Sequence, residues 1–203
     1  MTSRVAAAVE RALDERQREA TEEVERILAA AVRVMERVAP EAPRVSDIVA
    51  EAGSSNKAFY RFFAGKDDLI LAVMERGVAI VVSYLEHQMA KQSTPQDKVA
   101  RWIEGTLAQV AQPDLISKSR AAAGQMSAGT NWRAADQEMM GPLRDLLIKP
   151  IISLGSADVD RDVEAVFCCT AATMRRYMGS DVRPGPDDVA HVVRFCLNGL
   201  GVK

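Results

Sequence analysis

The chain has 203 residues, 48% of them apolar and 27% charged, and its net charge is only −2. That length buries one large core or two modest ones, and so balanced a charge excludes a molecule governed by a single-sign field, which argues against a nonspecific nucleic-acid coat protein. Any DNA affinity must come from a local basic patch, which a dimer can still present. Of the three cysteines, Cys168 and Cys169 are adjacent and Cys196 lies far along the chain; without a framework spacing they read as reduced, buried thiols, and a redox role has no support. His87 and His191 are isolated and no Cys/His pair has zinc spacing, so neither a metal nor another cofactor is expected.

Residues 1–20 place Val5, Ala8, Val9, Ala12 and Leu13 at helical spacing between charged residues, as an extra helix or a frayed arm. Arg16 and Arg18 could reach DNA from there, although the neighbouring acids favour a solvated face. The short apolar run from Val5 to Val9 ends at Glu10 and Arg11, so no signal peptide is expected. Val78 to Val82, like the other apolar runs, is far too short to cross a bilayer, which makes the cytoplasm the expected location.

Thr21 can cap a first helix whose stripe is Val24, Ile27, Leu28, Ala31, Met35 and Val38, closed by Pro40 and Pro43. Ser46 then suits the N-cap of a short helix carrying Ile48, Val49 and Ala52, and Gly53 stands where a left-handed residue would end it. Ser54 or Ser55 can cap the next helix, on which Ala58, Phe59, Phe62 and Phe63 form an inward face. Two short helices joined through a glycine turn predict a helix-turn-helix. The outward face of its second helix offers Ser55, Asn56, Lys57, Tyr60 and Arg61. Lys can meet guanine and Asn adenine, while Ser, Tyr and Arg can hold phosphates.

The stretch resembles the DNA-binding signature of the TetR family of bacterial transcriptional regulators. Ile48, Ala52-Gly53, Ser55, Tyr60, Phe63 and Lys66 match that family's ordered pattern. Arg44 stands where the family usually has Thr, Val49 where it has Ala, and Lys57 where small residues are common. The resemblance implies a three-helix head over 21–66, with Lys66 on the DNA backbone and a following helix linking it to a ligand-binding and dimerisation domain over 67–203. Arg44, Ser46 and Ser54 complete the candidate DNA contacts.

Asp67 and Asp68 suit the N-terminus of that linking helix, which Leu69, Ile70, Val73, Met74, Val81 and Leu85 carry to about Ala90. Ala64-Gly65-Lys66 is not a phosphate-binding loop, because Tyr60 occupies the place of its first glycine and Asp67 that of its Ser or Thr. Thr94-Pro95 opens a helix containing Val99, Ile103, Leu107 and Val110, and Pro113 another with Leu115, Ile116 and Met126; a turn follows at Ser127 to Thr130. Gly141-Pro142 bends or interrupts the next helical stretch, which Gly155-Ser156 ends. Val163, Val166, Thr170 and Met174 line one face of the penultimate helix, and Val189, Val193, Cys196 and Leu197 line one face of the last. The loop between these helices is Asp181 to Pro186. In the family these helices pair with those of a second subunit, so the eight residues are candidates for a dimer interface, with Ala165, Cys169 and Ala172 allowing close approach; the same stripes can equally serve the chain's own core.

The reading is thus all-α, about nine helices in a helix-turn-helix head and a helical body. The function it implies is a dimeric repressor on a palindromic double-stranded operator, released by a small, largely apolar molecule. Trp102, Met126, Trp132, Met139, Met140 and Phe167 are candidates to line the pocket, though such residues in amphipathic helices also serve as core. Two other classes stand beside it: an all-α ligand- or protein-binding module without DNA affinity, and an all-α enzyme. Isolated histidines and the lack of a nucleophile motif or paired carboxylates weigh against the enzyme.

Overall fold

A computed structural model describes residues 3–39, 41–112, 115 and 138–202. Every regular element among these residues is a helix. The chain divides into two compact units, Met1–Val73 and Met74–Lys203.

The sequence reading separates residues 1–20 from a helix capped by Thr21; the chain instead forms one helix, α1, Arg4–Val38. No Gly or Pro interrupts the stretch, and Arg18 pairs with both Glu15 and Glu22 one turn to either side. Thr21 lies inside the helix, where its hydroxyl donates to the Gln17 carbonyl at 2.9 Å. Only the C-terminal half of α1 is buried, through Ile27, Leu28, Ala30, Ala31, Val34 and Met35, whereas Val5, Val9 and Leu13 are exposed.

Helix α2, Val45–Glu51, begins one residue before Ser46, and its cap position is Arg44, which makes no side-chain capping bond. Ser46 therefore does not cap; its hydroxyl donates to Asp47 Oδ1 at 3.3 Å. Ile48 and Val49 are buried. Two cations of α1 hold α2 from outside the core: Arg33 Nε donates to Glu51 Oε1 at 2.9 Å and Arg37 Nη1 to Glu51 Oε2 at 3.1 Å. These bonds keep the Glu51 carboxyl below its ordinary range, the Arg33 bond most and the Arg37 bond next.

Gly53 ends α2 at φ +60°, and the Ser54 amide closes back on the Val49 carbonyl at 3.0 Å. Helix α3, Asn56–Phe62, is capped by Ser55, whose hydroxyl oxygen accepts from the Ala58 amide at 3.1 Å. Phe59 and Phe63 pack at 5.5 Å between ring centroids in the core. Phe62, expected beside them, is only half-buried and lies under the Arg61 guanidinium at 4.4 Å. Helix α4, Lys66–Ala90, follows, with Asp67 and Asp68 in its first turn. Asp68 accepts from the Ala64 amide at 2.8 Å. The division between the two units falls within α4.

The second unit takes the rest of α4 and α5, Pro95–Ala111, capped by Thr94. It continues with α6, Gly141–Asp145, and α7, Ile148–Ser153. The last elements are α8, Val159–Met178, capped by Asp158, and α9, Pro186–Gly199. Gly141-Pro142, expected to bend or interrupt one helix, open α6, and a further break at Leu146 and Leu147 separates α6 from α7. Trp102, Ile103, Leu107, Leu147 and Ile151 form the centre of the core, and the Trp102 indole N–H donates to the Leu143 carbonyl at 2.9 Å. Helices α4 and α5 approach closely where Gly105 meets Leu85: a Cβ at position 105 would overlap the Leu85 side chain.

Candidate nucleic-acid interface

The burial of α3 separates its two faces. Ala58 and Phe59 point inward, and Asn56, Lys57, Tyr60 and Arg61 are exposed. Tyr60 stands edge-on to Phe59 at 5.1 Å, so its ring is anchored while 62% of the residue remains accessible. Ser55 is exposed beside this face; its oxygen is used in the cap, but its hydroxyl proton is free to point outward. Among the described ion pairs, none engages Lys57. The face thus presents an amide, an ammonium and a phenol in one short row, all groups that read base edges or hold phosphates.

The remaining candidates are arranged differently. Arg44 and Ser46 are exposed at the start of α2, and Lys66 is half-buried at the start of α4. Ser54 and Arg61 are joined by Glu23 of α1, a residue that the sequence reading does not single out. Its carboxylate accepts the Ser54 hydroxyl at 3.0 Å and pairs with Arg61. These partners lie 31 and 38 residues away along the chain, so no local pattern announces them.

In the second unit, Trp102 and Phe167 come together at 6.2 Å between ring centroids. The Arg144 guanidinium lies 4.5 Å over the Phe167 ring and 3.1 Å from Glu164. Trp102 is fully buried, Met139 buried and Met140 half-buried, while Met126 and Trp132 lie outside the described residues. Of the residues expected at a dimer interface, Val163, Val166, Thr170 and Cys196 are buried inside their own chain, and Met174, Val189, Val193 and Leu197 are half-buried against its core. The outward side of α8 and α9 carries Ala165, Cys168, Ala172 and Phe195 instead. Burial, together with the neighbouring Cys169 thiol, pushes the Cys196 thiol up to about 12. Cys168 is exposed, and its thiol is raised chiefly by its hydrogen bond to Glu164. Among the described residues no helix is long and apolar enough to cross a membrane.

The two short helices, their glycine turn and the exposed polar face of the second have the form of a helix-turn-helix. Residues 27–73 match the sequence model described as bacterial regulatory proteins, tetR family, and the chain has the fold of solved TetR-type regulators. Solved structures share the fold along nearly the whole chain. The transcriptional regulator FadR from Bacillus subtilis, in complex with stearoyl-CoA, is 17% identical, with a TM-score of 0.67 over 87% of this chain and 96% of its own. A TetR-like transcriptional regulator from Rhodococcus sp. RHA1 is 21% identical, with a TM-score of 0.63 over 89% and 97%. RolR in complex with resorcinol is 16% identical, with a TM-score of 0.66 over 92% and 91%. No curated protein matches the chain.

Proposed function

We propose that the chain is a cytoplasmic, dimeric transcriptional repressor that occupies a palindromic operator and leaves it when a small, largely apolar molecule binds the helical body. The observation that carries this reading is the row Asn56, Lys57 and Tyr60, exposed on a recognition helix whose other face is buried. One such head touches too few base pairs to select a genomic site, so function calls for two. Two heads on a two-fold axis meet successive major grooves about 34 Å apart, which favours a palindrome. The subunits meet through the outward faces of α8 and α9, where Ala165 and Ala172 allow close approach and Phe195 supplies an exposed aromatic anchor. FadR and RolR, with an acyl-CoA and a small phenol in their crystals, support a mostly apolar effector bearing a polar end. Release requires the effector to prefer the non-binding arrangement by its own differential affinity.

Selection of bound sequences from random duplex DNA by the purified protein tests the reading. A palindromic consensus, bound with an affinity that falls steeply with salt, is the expected result. Loss of binding in Lys57→Ala and Tyr60→Ala, with fold and dimer retained, ties the activity to α3. A folded, dimeric protein that enriches no sequence overturns the proposal.

A further inference from the structure

A single carboxylate joins α1 to both ends of the recognition helix. Ser54, bound to one oxygen of Glu23 at 3.0 Å, directly precedes the cap of α3, and Arg61, bound to the other oxygen, lies in its last turn. We infer that Glu23 is a positioning residue for DNA recognition, acting through Ser54 and Arg61 without itself meeting base or phosphate; the inference rests on the DNA-binding reading above.

The chemistry of the two partners supports this assignment. The single hydroxyl proton of Ser54 points at Glu23, and the Arg61 guanidinium sits between that carboxylate and the Phe62 ring. Two of the groups that the sequence offers to DNA, Ser54 and Arg61, are therefore engaged within the head. Asn56, Lys57 and Tyr60, in contrast, present exposed polar ends.

Geometry gives the engagement its purpose. Apolar packing through Ala58 and Phe59 decides which face of α3 turns inward, but it is non-directional and tolerates small rotations. A rotation of roughly 10° moves a side-chain tip about 6 Å from the helix axis by about 1 Å. That displacement exceeds the width of roughly 0.5 Å over which hydrogen-bond distances are distributed. Directional bonds from one fixed point on α1 to both ends of α3 restrain that rotation. Side-chain exposure is 21% for Glu23 and 60% for Arg61, a setting in which ion pairs add little to global stability. The effect of breaking the pair therefore belongs in recognition rather than in folding.

The opposite role is also defined. Were Arg61 a phosphate contact masked by Glu23, removing the acid would free a cation, tighten binding and steepen its salt dependence.

The experiment compares the full-length wild type with Glu23→Ala, Glu23→Gln, Arg61→Ala and the double variant Glu23→Ala/Arg61→Ala. Each is titrated against the selected duplex and a scrambled duplex over a range of salt. Glu23→Ala and Arg61→Ala are expected each to weaken consensus binding about tenfold, with scrambled binding and the salt slope unchanged and the double variant no worse than either single one. A merely structural lesion would lower both affinities together. Glu23→Gln keeps the length and one accepting oxygen, so it carries the test if Glu23→Ala does not fold; its expected loss is smaller. An Arg61→Ala slope shallower by about one per protomer, or tighter binding by either Glu23 variant, overturns the inference while leaving the regulator reading intact. A wild type that enriches no duplex overturns both.

Discussion

Gly105 is buried in α5 against Leu85 of α4, and replacing it by Ala sets two terms against each other. The new methyl favours the helix by about 1 kcal/mol, because Gly is the weaker helix former. It also overlaps a Leu85 side chain that is 0% exposed and has the Tyr84 ring as a neighbour of the same site, so the leucine cannot simply swing into solvent. Overpacking of this kind costs about 1–3 kcal/mol, leaving a net loss of about 1 kcal/mol. For a chain of this size that loss lowers the melting midpoint by roughly 2–4 °C. The decisive measurement is a double-mutant cycle by thermal and urea unfolding. Leu85→Ala alone should cost about 2–5 kcal/mol, and in its background Gly105→Ala should become stabilising by about 1 kcal/mol, because the obstructing atoms are gone. A Gly105→Ala single variant more stable than wild type, or one whose effect does not change sign when Leu85 is truncated, would refute the close-contact reasoning.

Three further outcomes follow from single sites. At Gly53, φ is +60° and the space around a new Cβ is open, so Gly53→Ala should cost about 1–2 kcal/mol through the backbone alone. Gly53→Asn should cost less, which amide hydrogen exchange in α2 and α3 would register. Glu51 has its carboxyl lowered by Arg33 and Arg37, so its contribution to stability is fully present above the ordinary carboxylate range and disappears as pH falls through the lowered value. The stability gap between wild type and Glu51→Gln, measured by denaturant unfolding, should accordingly be constant near neutrality and shrink at acid pH; a gap independent of pH would be the contrary result. With its thiol pushed up to about 12 and its side chain in the core, Cys196 should resist iodoacetamide at pH 8 until the protein is unfolded, whereas Cys168, exposed on the face proposed to lie between subunits, should be modified first in the dissociated monomer and shielded in the dimer. Peptide mass spectrometry of timed samples reads that order.

The parts of this fold that were legible in the sequence are those fixed by neighbours in the chain. Gly53 as a left-handed stop, a serine at 54 or 55 as the cap of α3, Thr94 before Pro95, and the acids opening α4 all act across one turn, and each occurs where its local chemistry places it, the cap being Ser55. The same locality explains the failures at Thr21 and Ser46. A residue able to cap does so only if the helix begins there, and α1 contains no breaker that would make it begin at residue 21. Ser46 is passed over because Val45 already enters the helical conformation.

What could not be read was the identity of a partner. An amphipathic stripe states that a face is buried, not which surface buries it. Val163, Val166, Thr170 and Cys196 have the pattern of an interface and pack within their own chain, while Ala165, Ala172 and Phe195 on the other side of the same helices remain outward. Polar residues carry even less information, because their bonds have no period. Glu23 is one acid among several on α1, and no local pattern marks it as the one that meets both Ser54 and Arg61. Its neighbours on the helix give α1 the opposite sign where it faces α2, through Arg33 and Arg37. Helix α1 thus offers cations to one helix of the motif and an anion to the other. Exchanging Glu23 with Arg33 would leave composition, amphipathic pattern and net charge untouched while setting like charges against each other at both junctions, so the orientation of the recognition helix rests on pairwise contacts that a one-dimensional reading cannot contain.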